Sequence, residues 1–310
     1  HKEYRRQRQM CIRDRFSPNY HWFLVIRFIV GLGLGGELPV AATYLADHFK
    51  GTVQSRLLIL ADSFWAVGWL IASVLAFFFA NNLGWRGLLI LTAVPVLFAL
   101  ILRSRLTDAP KIATKSPTLK TSLIANFNYQ TILLWLTWLM VMFSYYGMFM
   151  WLPTILASRG NTLVTGFGYT VLITIAQLPG YFVAAWLMGK IQVRWVFIIY
   201  MFGTALSAFA FGQADGIPAT ILFGSLLSFF NLGAYGTIIA LTPVQYLPEY
   251  RGTMTGIAQG IGRLGAVIGP LLVGWLLDYH VPVNHIFTIF MMSLFIGALA
   301  AVFLPDHLNA

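Results

Sequence analysis

Residues 242–253 read TPVQYLPEYRGT, and a related stretch occurs about 200 residues earlier, where residues 39–47 read PVAATYLAD and Gly51 and Thr52 follow. Similarity at a fixed period indicates a repeated structural unit. Both copies end a long apolar segment, and the two segments lie six spans apart. An even number of crossings preserves the direction of the chain, so the pattern predicts a parallel repeat of six helices.

The composition places these segments in a lipid bilayer. Hydrophobic residues make up 58% of the chain, charged residues 10%, and the mean hydropathy is +0.76, whereas soluble domains carry about 25% charge. Segments long enough to cross about 30 Å of hydrocarbon as helices occur at 22–46, 57–80, 86–102, 131–157, 167–189, 195–212, 218–242, 253–277 and 285–304. The sequence therefore predicts an all-α membrane protein with nine transmembrane helices.

The basic residues of the loops indicate the orientation. Ten of them fall on one side of the predicted bundle: Lys50, Arg56, Arg103, Arg105, Lys111, Lys115, Lys120, Lys190, Arg194 and Arg251. The opposite loops hold only Arg86 and Arg159. Because cytoplasmic loops carry an excess of Lys and Arg, the C-terminus is predicted to be cytoplasmic. The net charge of +10 is thus explained by membrane topology, and no nucleic-acid partner is expected.

The repeat also predicts the domain organisation. If the second copy comprises spans four to nine, span one is the fourth helix of the first half, so three helices are expected upstream. We expect a remainder of the first bundle at 16–103, a cytoplasmic linker at 104–129 and a second six-helix bundle at 130–310. Residues 1–15, HKEYRRQRQMCIRDR, would lie outside despite their basic charge, and we predict that they are not native; a genuine basic tail is the alternative.

Several short stretches resemble motifs of the major facilitator superfamily. They are RFIVGLGLG at 27–35, YLAD at 44–47 with Arg56 beyond it, GWR at 84–86, YLPEYRG at 246–252 and GRLGAVIGP at 262–270. Within that family, GLGLGGELPV followed by DSFWAVGW at 62–69 is most similar to the niacin permease branch of the bacterial sugar and metabolite:proton symporters. The resemblance implies helices 4–12 of a twelve-helix, two-bundle fold in a bacterial inner membrane.

Two charges lie inside the first predicted span, Arg27 and Glu37. An uncompensated charge at the bilayer centre costs at least ~2.5 kcal/mol, so both should face protein or a water-filled cavity. The resemblance implies that Arg27 takes part in proton coupling; the alternative is a charge that only locks helices together. For Glu37 a titrating carboxylate and a structural hydrogen-bonding group are equally open.

Charged residues near the predicted cytoplasmic surface are candidates for gating. Asp62 and Arg263 occupy matching early turns of spans two and eight, so we expect them to share a role. Asp47, Arg56, Glu249 and Arg251 are predicted to form ion pairs between the two halves. Snorkelling at the membrane surface is the alternative, and the short loop MGKIQVR at 188–194 lacks the usual length of the family's signature loop.

Uncharged polar and aromatic residues near the midplane are predicted to bind substrate, since transporters of this kind place the site there, between the repeats. They are Trp65, Tyr145, Tyr146, Gln177, Asn231, Tyr235 and Gln259. Aromatic faces, amide groups and a single basic group such as Arg27 would suit a small aromatic carboxylate. For each of these residues, ordinary helix packing is the alternative.

Other classes of function find little support. A single cysteine excludes a disulfide framework, and the histidines lack metal-ligand spacing. The glycines of 31–36 lie inside a span, whereas those of a dinucleotide-binding motif follow a strand. No metal or cofactor is therefore expected. We expect a fragment of a secondary transporter, a monomer when complete, that imports a small organic acid, with nicotinate as the candidate, by alternating access with a proton. A drug/proton antiporter or a sugar transporter of the same fold is the alternative, and a membrane-embedded enzyme a remote one.

Overall fold

The computed structural model describes residues 51–91, 118–158 and 163–305, with the single positions 22, 24, 25, 28, 45, 48 and 49. The elements of these three ranges are all helices: α1 (Gly51–Leu91), α2 (Leu119–Asn126), α3 (Tyr129–Ser158), α4 (Leu163–Ile175), α5 (Gln177–Leu187), α6 (Val193–Gln213), α7 (Ile217–Val244), α8 (Pro248–Asp278) and α9 (Val283–Val302). The all-α prediction is therefore confirmed for the part of the chain that is described.

Seven segments of the described residues are long and apolar enough to cross a membrane. They correspond to seven of the nine predicted spans, with α4 and α5 sharing one crossing at Gly168–Leu187. Most of the predicted span 22–46 lies outside the described residues, and so do residues 92–102 of the predicted span 86–102. Helix α2 falls in the predicted linker, where the Thr118 hydroxyl accepts a hydrogen bond from the Thr121 amide at 3.3 Å and caps the helix.

The second half of the chain forms one helical bundle. Helix α3 packs against α8 and α9, α6 packs between α7 and α9, and α5 packs against α7. Helix α1, from the first half, lies against α4, α5 and α7. The described interface between the halves is therefore the face that α4, α5 and α7 present to α1.

Small residues allow α3 and α8 to approach closely. A Cβ atom at Gly265 would overlap the carbonyl oxygen of Leu139, and one at Gly269 would overlap that of Phe143. Close backbone approach at small residues is a common way of joining helices in a bilayer, where apolar side chains gain little by leaving lipid. The GRLGAVIGP stretch is therefore a helix-packing motif in this fold.

A proline interrupts the span that α4 and α5 share. Pro179 has no N–H to donate to the carbonyl of Ile175, so the helical hydrogen-bond ladder is broken there, and the two helices are separated at Ala176. Sequence periodicity predicted a single continuous span at 167–189. The break places Gln177 at the first position of α5, in the middle of a membrane crossing.

The predicted basic loops come together at one end of the bundle. Arg194 Nη1 donates to the Leu304 carbonyl at 2.7 Å, and Gln245 Nε2 donates to the Pro305 carbonyl at 3.0 Å. The Arg56 guanidinium lies against Gly189. The beginnings of α1 and α6 and the ends of α5, α7 and α9 therefore lie together, as the alternation of crossings predicted. Which side of the membrane this basic end faces stays a prediction.

Candidate functional site

Five of the predicted site residues lie at nearly the same depth. Measured from the basic end of each helix, they are nine to thirteen residues inside it, which is roughly 14 to 20 Å at the helical rise per residue. Since the hydrocarbon core is about 30 Å thick, this is close to the middle of the bilayer. We call this set the polar layer: Asp62, Gln177, Asn231, Tyr235 and Gln259, all of them buried.

Each residue of the polar layer has a buried polar atom without a hydrogen-bond partner in the described part of the chain. These atoms are Asp62 Oδ1, both side-chain atoms Nε2 and Oε1 of Gln177, Asn231 Oδ1, Tyr235 OH and Gln259 Nε2. A buried polar group left unsatisfied costs about 1–3 kcal/mol. Several such atoms at one depth, on four different helices, are what a site for a polar molecule or for water requires.

Aromatic rings of α3 and α7 line the same region. The ring centroids of Tyr145 and Tyr235 are 5.7 Å apart, those of Tyr145 and Tyr146 are 5.1 Å apart, and Trp138 meets Tyr235 edge to face at 6.1 Å. The Trp138 indole is held by a 2.7 Å hydrogen bond from its Nε1 to Thr242 Oγ1. We call Trp138, Tyr145, Tyr146 and Tyr235 the aromatic wall. Its flat faces suit a planar ring.

Two hydrogen bonds cross between the halves at or beside the polar layer. Trp65 Nε1, on α1, donates to Tyr145 OH on α3 at 2.9 Å. Tyr181 OH, on α5, donates to Asp62 Oδ2 on α1 at 2.7 Å. The interface between the halves therefore passes through the polar layer itself, as alternating access at a central site requires.

A cation stands beside the aromatic wall. Arg263 Nη1, on α8, donates to Tyr146 OH at 2.9 Å, and Arg263 lies one helical turn beyond Gln259. Arg263 and Asp62 are deeper than the predicted early turns, because α8 begins at Pro248 and α1 at Gly51 rather than at 253 and 57. Hydropathy placed the helix starts too late, since it does not detect the polar first turns.

The other gating residues are only partly described. Arg251 Nε donates to the Pro243 carbonyl at 3.0 Å, Arg56 lies against Gly189, and Glu249 is exposed. Arg27, Glu37 and Asp47 lie outside the described residues. Ion pairs between the halves, and proton coupling through Arg27 and Glu37, stay predictions.

Sequence reasoning missed two residues of this region, Tyr181 and Trp138. Tyr181 lies four residues after Gln177 and so on the same helical face, which is a signal that could have found it. Trp138 is buried at 0% exposure among many apolar residues of α3. Its hydrogen bond to Thr242 depends on how α3 and α7 are rotated against each other, and this rotation cannot be predicted from the sequence.

Comparisons with known proteins agree with this architecture. The family described as Major Facilitator Superfamily matches residues 10–176 and 164–308. A Bacillus subtilis (strain 168) protein assigned as a niacin/nicotinamide transporter, NiaP, is 42% identical over 289 residues, which are 91% of this chain and 72% of that protein. The niacin transporter NiaP of Acinetobacter baylyi is 33% identical over 327 residues, with 94% and 74% covered.

A solved structure shares the fold. The Escherichia coli fucose:proton symporter FucP superposes with a TM-score of 0.72 at 18% sequence identity, and the match covers 92% of this chain and 77% of that one. At this identity the likeness establishes the fold alone.

Proposed function

Because this chain belongs to the major facilitator superfamily, and because its described helices enclose a polar layer beside an aromatic wall, we propose that it is a secondary active transporter for a small aromatic acid. The proposed substrate is nicotinate, imported across a bacterial inner membrane by alternating access together with a proton. The basic end of the bundle and the C-terminus then face the cytoplasm, and the complete protein acts as a monomer in the bilayer.

The proposal rests on the polar atoms of the polar layer that have no partner among the residues that the structure describes. In a molecule that does not bind a polar ligand at this depth, such atoms would be a net cost to stability. Within the described ranges Gln177 has a donor and an acceptor without partners, so its amide can meet a ring nitrogen or a carboxylate. Relatives assigned to niacin transport support the same class of substrate.

The neighbouring cation favours an acid over other substrates of the family. A guanidinium pairs with a carboxylate through two parallel hydrogen bonds, and Arg263 stands at the edge of the aromatic wall, where its bond to Tyr146 fixes its position. A cationic drug would be repelled there, which counts against the drug/proton antiporter. A sugar offers no charge to match the guanidinium and no planar ring to stack on the tyrosines.

An enzymatic function is disfavoured by family membership. The family and the two bacterial relatives are transporters. The proposed transport cycle would open the interface that α1 forms with the second half on alternate sides of the membrane. The predicted ion pairs of Asp47, Arg56, Glu249 and Arg251 would close that interface on the cytoplasmic side.

Calorimetric binding with a matched set of ligands tests the assignment. Nicotinate carries a carboxylate, nicotinamide keeps the ring nitrogen without the charge, and benzoate keeps the charge without the nitrogen. We expect the protein encoded by the full gene to bind nicotinate more tightly than either analogue. We expect Arg263→Gln to weaken nicotinate binding about tenfold or more, the loss of a charge-assisted hydrogen bond worth roughly 1.5–3 kcal/mol, and to leave nicotinamide binding nearly unchanged.

Two control variants accompany this measurement. Arg194→Gln removes a cation at the basic end, where it binds the Leu304 carbonyl, and should not affect the affinity for nicotinate. Arg27→Gln tests the other predicted anchor. If Arg263→Gln binds nicotinate as tightly as the wild type and Arg27→Gln does not, Arg27 is the cation that binds the carboxylate. If all variants bind nicotinate equally tightly, neither arginine binds it.

A further inference from the structure

Asp62 is a buried carboxyl with one free oxygen. It is 5% exposed, its Oδ2 accepts the hydrogen bond from Tyr181, and its Oδ1 has no partner in the described ranges. A buried carboxylate normally has several donors or a paired cation, because removal from water is costly for an ion. A proton can be added at Oδ1 while Tyr181 still donates to Oδ2, and the bond from Tyr181 then loses the added strength of an ionised acceptor.

The groups that face Asp62 from the neighbouring described helices are phenols. Tyr145 on α3, Tyr181 on α5 and Tyr235 on α7 all lie within electrostatic range of Asp62, and Tyr169 is the titratable residue that α4 carries. No cation in the described part of the chain forms an ion pair with Asp62; Arg263 donates to Tyr146 instead. A phenol can donate to a carboxylate and accept from a carboxylic acid, so these neighbours tolerate both protonation states.

The bond between Asp62 and Tyr181 also joins the two halves of the molecule. Asp62 belongs to α1 of the first half and Tyr181 to α5 of the second, and the Tyr235 hydroxyl, which lacks a partner among the described residues, is available nearby. A change in the charge of Asp62 therefore acts directly on a contact that must rearrange when the halves move.

We propose that Asp62 is a proton-binding site of the transport cycle and that its contact with Tyr181 couples protonation to the movement of the two halves. This inference rests on the proposed transport function and adds a carboxyl to the predicted coupling residues Arg27 and Glu37. In the outward-open state Oδ1 takes a proton from external water. In the inward-open state the same O–H bond breaks and the proton passes to cytoplasmic water.

One proton and one nicotinate anion entering together carry no net charge. The O–H bond of the carboxyl is the covalent bond of the protein that forms and breaks in this cycle, and water supplies and receives the proton. If Asp62 alone carries the proton, uptake follows the pH gradient and is independent of the membrane potential.

An infrared titration of the purified protein from the full gene tests the proton site without any substrate. We expect a carboxylic-acid C=O band that disappears as the pH rises and that is absent from Asp62→Asn, a nearly isosteric change. In Tyr181→Phe the band should persist at higher frequency, because the carbonyl has lost its hydrogen-bond donor. A wild-type protein whose titrating carboxyl bands are all retained in Asp62→Asn would overturn the proposal.

Transport in proteoliposomes tests the coupling. An inward gradient of one pH unit should drive about tenfold accumulation of nicotinate by the wild type, since one unit corresponds to a factor of ten in equilibrium. We expect Asp62→Asn to lose this accumulation while still exchanging labelled for unlabelled nicotinate, which needs no net proton movement. Ser63→Ala, the adjacent buried position whose hydroxyl donates to the Leu60 carbonyl at 2.6 Å, should retain both activities.

The infrared titration and the transport assay distinguish an error in the proposed proton site from an error in the proposed substrate. Accumulation by Asp62→Asn at the wild-type level would refute the coupling role. A wild-type protein that moves no nicotinate would reject the proposed substrate, and the infrared titration would then decide the proton site alone. If Asp62→Asn does not fold, the band shift in Tyr181→Phe decides it: an unshifted band would refute the contact.

Discussion

At the scale of single residues, the hydrogen bonds of buried polar side chains differ between the polar layer and most of the rest of the bundle. Most buried threonines and serines donate to a carbonyl one turn earlier in their own helix, as Thr204 does to Tyr200 at 2.7 Å. Each member of the polar layer is equally buried but has an atom without a partner among the described residues, as do a few scattered side chains such as Ser228 and Thr255. The polar layer is distinguished because its unpartnered atoms share one depth, where a ligand can meet them.

The unpartnered atoms of Gln177 predict that a substitution there raises the stability of the protein and weakens ligand binding. Gln177→Leu keeps a similar volume and removes two unsatisfied buried atoms, each costing about 1–3 kcal/mol, so we expect a higher melting temperature of the detergent-solubilised protein together with weaker nicotinate binding. Thr204→Val, which removes a satisfied hydroxyl on α6 away from the site, should bring neither the gain nor the loss. A lower melting temperature in Gln177→Leu would show that Gln177 is a structural residue.

The sequence predicted the members of the polar layer better than their contacts. Gln177, Asn231 and Gln259 were identifiable because amide side chains are rare in apolar spans and must face the bundle interior. The bond between Tyr181 and Asp62 could not be predicted, since the two residues are 119 positions apart and meet only through the docking of two halves. Asp62 was expected to share a gating role with Arg263, whereas its hydrogen-bond partner in the described part of the chain is the phenol of Tyr181.

At the scale of helices, apolar length predicted the crossings of the second half, and local chemistry set their details. Helix α8 begins at Pro248, five residues before the predicted 253, because its first turns extend beyond the apolar segment. The break between α4 and α5 was missed because apolar character continues across it, although Pro179 removes a backbone donor there. Hydropathy measures how apolar a segment is, and it does not detect a missing backbone hydrogen bond.

The glycines of α8 provide a prediction within a single helix. In Gly265→Ala and Gly269→Ala the new Cβ would overlap backbone atoms of α3, so we expect each variant to lower the melting temperature, by an overpacking cost of about 1–3 kcal/mol. At Gly256 and Gly260 no atom of the described residues lies within 4 Å of where a Cβ atom would be. Alanine is favoured over glycine in helices by roughly 1 kcal/mol, so Gly256→Ala and Gly260→Ala should maintain or raise the melting temperature.

The comparison of the four variants decides whether α3 and α8 are held by backbone contact. Equal melting temperatures for all four proteins would mean that the two helices can separate by the width of a methyl group without loss. The close approach would then have no energetic importance.

At the scale of the whole molecule, the repeat predicts an arrangement of two halves. The related stretches at 39–47 and 242–249 predicted two six-helix halves, and the described part of the chain shows α1 of the first half lying against α4, α5 and α7 of the second. The polar layer is located where these helices meet. The orientation in the membrane, the nature of residues 1–15 and the helices expected upstream stay predictions, because charge patterns and sequence spacing alone support them.

Uptake of labelled nicotinate by whole cells decides whether this protein is a proton-coupled nicotinate importer. Cells that express the protein from its full gene are assayed at acid and at neutral external pH, with and without an uncoupler, after its presence in the membrane has been verified. We predict saturable uptake that rises at acid pH and is abolished by the uncoupler. Uptake no greater than that of cells with an empty vector would contradict the account and direct attention to sugars or drugs as substrates.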